Sequence, residues 1–143
     1  VANQLAALSV TQIASMETLD LNSLSNAQIA NLTTAQMAAL TTAQVVALSA
    51  TQVSNMLTTQ LVSLSATQIK AMETRDIAVI DTVQITKLTT SQIASMTTGQ
   101  IKGMTTAQFA NLSTAQLASM TTAQISAMEL LSTWIASTRT NSL

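Results

Sequence analysis

The chain has no cysteine, histidine, tyrosine or proline, and only two glycines, one phenylalanine and one tryptophan. Each absence removes a class of chemistry. Without cysteine there is no disulfide framework and no thiol nucleophile. Without histidine or cysteine, the Ser/His/Asp and Cys/His nucleophile systems cannot be assembled. The usual structural and catalytic zinc sets fail for the same reason. No glycine-rich loop is present to cradle a phosphate. Charge is scarce as well: 8% of residues are charged, and the net charge is −1, against ~25% charged residues in a typical domain. The five basic residues are scattered, whereas a nucleic-acid surface needs clustered Lys and Arg. No 18-residue apolar window occurs, because Gln or Asp returns at every eighth position, which excludes an ordinary transmembrane helix. Val1 is followed by neither a basic nor a long apolar leader segment. The sequence therefore reads as a processed product or a piece of a longer chain.

What remains is one eight-residue phrase, repeated in register. Leu40-Thr41-Thr42-Ala43-Gln44-Val45-Val46-Ala47 runs directly into Leu48-Ser49-Ala50-Thr51-Gln52-Val53-Ser54-Asn55. Counting Leu or Met as position 1, that position recurs from Leu8 to Met128 and is always large and aliphatic. Position 2 is Ser or Thr in eleven of these sixteen repeats. Position 5 is Gln in fourteen of the sixteen copies from Gln4 to Gln124, the exceptions being Asp20 and Asp76. Position 6 is always apolar, and positions 7 and 8 are mostly Ala, Ser or Asn. A short unit repeated this often predicts stacked copies of one structural element.

The phrase specifies a helix start. Ser or Thr at position 2 with Gln at position 5 is a capping box: the hydroxyl accepts from the backbone N–H three residues on, and the Gln side chain accepts from the cap N–H. Positions 1 and 6 then form a hydrophobic staple, pairing Leu40 with Val45 and Leu48 with Val53. Each octad should open a new helix at about position 3. One continuous helix is disfavoured, because eight residues turn an α-helix by about 800°, so its apolar stripe would spiral around the rod. Apolar spacings of 5 and 3 average about 4.0 residues per turn, outside the range of coiled coils. The chain should bend at every octad junction. The expected fold is all-α: a solenoid of capped helical segments of about six residues, too short to persist alone and held by packing of positions 1 and 6. A β-solenoid is the alternative, favoured by Thr, Val and Ile. The Ala and Gln content, the odd apolar spacing and the lack of turn residues oppose it.

The array is expected to span residues 1–128, with an open N-terminal end, and residues 129–143 to form a C-terminal cap and polar tail. The tail carries Trp134 and breaks the octad pattern. A longer period is also present: Met16-Glu17-Thr18-Leu19-Asp20, Met72-Glu73-Thr74-Arg75-Asp76 and Met128-Glu129 lie seven octads apart. These units either record drift in a duplicated array or mark one angular position of the supercoil.

No catalytic, cofactor-binding or metal-binding residue is expected. The pairs Glu17/Asp20 and Glu73/Asp76 have the i, i+3 spacing of a shared helical face, but read best as solvated helix starts. Seven of the eight Met residues fall at position 1, alternating with Leu, as core filler does. Recurrent pairs such as Thr41-Thr42, Thr97-Thr98 and Thr121-Thr122 read as caps on a polar surface. Their alternative use is an array matched to ice or a polysaccharide, weakened by substitutions at Ala50, Leu57 and Ala66.

The unit from Leu40 to Leu48 resembles the octapeptide LTTAQ-type repeats of very large bacterial surface or secreted, adhesin-like proteins. The resemblance covers Leu5 to Met128. Some proteins of that kind are described as haem-utilisation proteins, but Met would be the only axial ligand available here. The same residues are similar to the opening helix of a TAL-effector repeat, without its longer period, base-reading pair or basic character. The resemblance implies an extracellular or cell-surface location. The expected function is non-enzymatic: a stalk, spacer or self-assembling fibre subunit that associates end to end or with adjacent repeats. The alternative is a binding module using Thr rows for a glycan or other surface ligand.

Overall fold

A computed structural model describes residues 2–128. The expected cap and tail, residues 129–143, lie outside the described residues. Within them the chain is a succession of sixteen short helices without a strand. The first eight are α1 (Ala2–Ala6), α2 (Val10–Ala14), α3 (Thr18–Asn22), α4 (Asn26–Ala30), α5 (Thr34–Ala39), α6 (Thr42–Ala47), α7 (Ala50–Ser54) and α8 (Thr58–Ser63). The second eight are α9 (Ala66–Ala71), α10 (Thr74–Ala78), α11 (Thr82–Lys87), α12 (Thr90–Ser95), α13 (Thr98–Gly103), α14 (Thr106–Asn111), α15 (Thr114–Ala118) and α16 (Thr122–Ala127). Each begins at or beside position 3 of its octad, as the capping box requires, and the β-solenoid alternative is not adopted.

The box has the expected geometry. In α6, the Gln44 N–H donates to the Thr41 hydroxyl over 3.1 Å, and the Thr41 N–H donates to Gln44 Oε1 over 2.8 Å. Leu57, Glu17 and Glu73 stand at N-cap positions without a side-chain cap bond. At Leu57 the reciprocal half survives, its N–H donating to Gln60 Oε1 over 2.8 Å.

Two consecutive extended residues make the bend between helices. Leu48 has φ −61° and ψ 136°, and Ser49 has φ −79° and ψ 157°. No described residue has positive φ and no described peptide bond is cis. The turn thus needs neither glycine nor proline, which explains how a chain nearly free of both reverses direction so often.

Helices pack on their third neighbours: α2 on α5, α3 on α6, α10 on α13 and α13 on α16. The core is one continuous column of position 1 and position 6 side chains, from Ile13 to Met120. Burial along the column gives the stacking its direction. Position 6 is already fully buried at Ile13 (0% exposed), but Leu117 and Ile125 are exposed at 39% and 49%. Position 1 is less covered at the start: Leu8, Met16 and Leu24 are half-buried, and the position is buried from Leu32 to Met120. Position 6 therefore faces the following coil, and position 1 faces the preceding one.

Candidate functional site

The chemistry of the array is concentrated at position 5. Gln at this position has two tasks on opposite ends of one amide. Its Oε1 closes the capping box of its own helix. Its Nε2 crosses to the preceding coil and donates to two carbonyls that end an earlier helix. Gln44 Nε2 reaches Ile13 O at 2.8 Å and Met16 O at 2.9 Å. Gln100 reaches Ile69 O and Met72 O, both at 2.7 Å. The same pair of acceptors, 31 and 28 residues back, recurs for Gln36, Gln60, Gln68, Gln108, Gln116 and Gln124. Helix C-terminal carbonyls lack partners within their own helix; here the next coil supplies one. Because helices pack on third neighbours while the Gln amides reach the fourth helix back, one coil takes between three and four octads. Sequence reasoning assigned Gln to capping alone. It missed the crossing bond, although Glu would close the capping box as well as Gln does and is absent from this position.

The ladder has two boundaries. Gln4 and Gln12 are exposed and Gln28 is half-buried, and among the described residues they make no crossing bond. Gln36 is the first to be buried. Gln84 is half-buried and keeps Met56 O, at 2.7 Å, as its one crossing acceptor. Its N-cap, Asp81, accepts from the Val83 N–H at 2.6 Å.

The rung breaks at Asp76. Asp20 occupies position 5 in the uncovered first coil and is exposed. Asp76, seven octads later, is 0% exposed, and neither carboxyl oxygen has a hydrogen-bond partner. Arg75 pairs with Glu73 (Nε to Oε2, 2.7 Å) and stands 3.7 Å from Asp76 Oδ1. Burial raises the Asp76 carboxyl above the ordinary carboxylate range; the Arg75 charge opposes this rise and the Glu73 charge adds to it. The two acidic units stand in one column: α7 donates from Gln52 onto the end of α3 and also packs against α10. The seven-octad period thus spans two coils, the angular-marker reading, but only the second unit is enclosed. Glu73 and Asp76 do not form a solvent-facing acid pair.

The other candidate groups fall elsewhere. The Thr pairs named above are exposed except Thr97, which is half-buried, and their N-cap hydroxyls accept backbone N–H groups. Met37, Met56, Met72, Met96, Met104 and Met120 lie in the core. Among the described residues no group of three or more acidic, His or Cys side chains is placed to hold a metal ion, and no helix is long and apolar enough to cross a membrane. The surface depressions include an open one of ≈ 510 Å³ beside Thr58, Thr59, Val62, Ser63 and Lys87, whose exposed lining is mainly apolar.

A family model described as the ALTTAQ repeat matches residues 13–50, 69–106 and 93–130. No curated protein and no solved structure matches the chain.

Proposed function

The chain belongs to the ALTTAQ repeat family, and from that premise we propose that it works as a length-setting element of a bacterial surface or extracellular structure, either a spacer or stalk or a self-assembling fibre subunit. The observation that carries this reading is the polarity of the coils. The first coil presents Gln12 and Gln28, whose Nε2 groups have no carbonyl beneath them, while the last described helices expose the position 6 side chains Leu117 and Ile125. These are complementary halves of the contact repeated inside the array. Further octads, from the same chain or from a second copy, would add by the same bonds and the same apolar packing. Exposed donors in the first described coil and exposed apolar surface on the last described helices favour head-to-tail growth. The scarcity of charge removes the repulsion that keeps monomers apart.

Light scattering over a concentration series, followed by negative-stain electron microscopy, tests this function. Rod-like oligomers lengthening with concentration are expected. A strictly monomeric species at high concentration would eliminate the self-assembling form and leave only a spacer within a longer chain. Thr rows recognising ice or a glycan remain the rival use of the surface, and thermal hysteresis together with a glycan-array signal would favour it.

A further inference from the structure

Position 5 in a covered coil is a place that demands a hydrogen-bond donor. Every described Gln there points its amide at the carbonyls 28 and 31 residues back, or, for Gln84, at one of them. By that register the acceptors opposite Asp76 are Leu48 O and Val45 O. Val45 O also accepts from the Leu48 N–H at 3.2 Å; Leu48 O is the end of α6 and the one that relies on the crossing donor. An ionised Asp is acceptor-only. It would place a buried negative charge beside carbonyl oxygens, with only the Glu73 backbone N–H to favour it, which is a costly arrangement. The charged groups nearby do not offset it. Arg75 on α10 lies 3.7 Å from Asp76 Oδ1 but is exposed and pairs with Glu73, the half-buried N-cap. Lys102 on α13 is exposed, and α6, α7 and α14 carry no charged residue.

We propose that Asp76 is held as the neutral acid, its O–H replacing the Gln amide as the donor of this rung, and that α10 is a proton-operated joint within an otherwise uniform array. The sign follows from linkage. A carboxyl raised in the folded state contributes stability that is complete below its ordinary pKa, near 3.8, and is lost as pH rises through the folded value. The joint tightens in acid and loosens toward neutral pH, opposite to the usual behaviour of a paired surface carboxylate. Across that window the local opening constant should rise by up to about tenfold per pH unit.

The test compares the wild-type chain with Asp76→Gln, which restores the common rung, and Asp76→Asn, which keeps the size and cannot ionise. Melting temperature from pH 3 to 8 should fall for the wild type and stay flat by comparison for both variants. Hydrogen exchange at the α10 amides, corrected for intrinsic rates, should show the same contrast even if Asp76→Asn is poorly folded. A side-chain carboxyl 13C titration should place the Asp76 midpoint above the ordinary range. Parallel pH profiles for wild type and Asp76→Gln would overturn the proposal, as would a midpoint near 3.8. So would a neutral-pH stabilisation by calcium or sodium chloride in the wild type that Asp76→Gln lacks, since that outcome requires a carboxylate holding a cation.

Discussion

Replacing Gln100 by Ala removes one side chain but two separable devices. The amide accepts from the Thr97 N–H at 2.8 Å and donates to Ile69 O and Met72 O at 2.7 Å each. Ile69 O keeps a bond from the Met72 N–H at 3.2 Å, so Met72 O is the group left orphaned. An orphaned buried acceptor costs about 1–3 kcal/mol, and a lost hydrogen bond about 0.5–1.5 kcal/mol. The sum is roughly 2–4 kcal/mol, with little helix-propensity correction between Gln and Ala. The array contains its own control. Gln12 closes an equivalent box with Ser9, at 2.8 and 3.1 Å, but makes no crossing bond and is exposed. Gln12→Ala should therefore cost no more than about 1 kcal/mol. Urea unfolding followed by far-UV circular dichroism, with hydrogen exchange localising the effect to the α9–α13 layer, measures both. Gln100→Glu sharpens the comparison, because it keeps the cap acceptor and deletes the donors; it should be at least as damaging as Ala at neutral pH. Equal costs for the two Ala variants would refute the crossing bond as a source of stability and return Gln to a capping role alone.

Two further substitutions separate close packing from open space and test the imperfect caps. At Gly103 an added Cβ would lie 2.0 Å from Thr74 Cγ2, whereas at Gly99 the nearest atom is 3.8 Å away; Gly103→Ala should lower the melting temperature, and pairing it with Thr74→Ser should recover most of the loss. Gly99→Ala should instead stabilise by about 0.5–1 kcal/mol through helix propensity, so destabilisation there would show an unrecognised contact. Leu57 is an N-cap without an acceptor and is 51% exposed; Leu57→Thr should gain about 1 kcal/mol in thermal unfolding, and an unchanged midpoint would mean that its apolar surface is already used.

The local structure was legible because each octad states it twice. The Ser/Thr–Gln spacing places the cap, and the position 1 and 6 spacing places the core, so helix starts such as Thr42, Thr90 and Thr122 coincide with the pattern. The bend at Leu48-Ser49 was also inferable, since a continuous helix could not keep one face inward. The size of the coil was hidden. Every octad offers nearly the same surface, so nothing local distinguishes packing on the second, third or fourth neighbour. That choice depends on the φ and ψ of the extended junction residues, such as Leu48 and Ser49. The crossing bond was hidden with it, because the acceptors of Gln44 are backbone carbonyls, which carry no side-chain signature. Asp76 was visible only as a departure from pattern; its burial beside a coil that Asp20 lacks needed the three-dimensional layer order.

The crossing Gln also determines how such a chain can change over generations. Its partners are main-chain oxygens a fixed number of octads back, the same whichever octad supplies them. Deleting or duplicating a whole repeat hands the few Gln residues that reach back across the change new but chemically equivalent partners, and the rungs close again. A change of any other length throws the amides that reach across it out of register. Most repeats are therefore interchangeable links, and length is the quantity open to inheritance. Among the described residues a few links carry an address: Gly103 must lie over Thr74, and Asp76 is set in a coil with covers on both sides. An internal duplication or loss of octads between Thr74 and Gly103 would move the crowded threonine under an ordinary side chain, leaving a lineage free to lengthen everywhere except across that stretch.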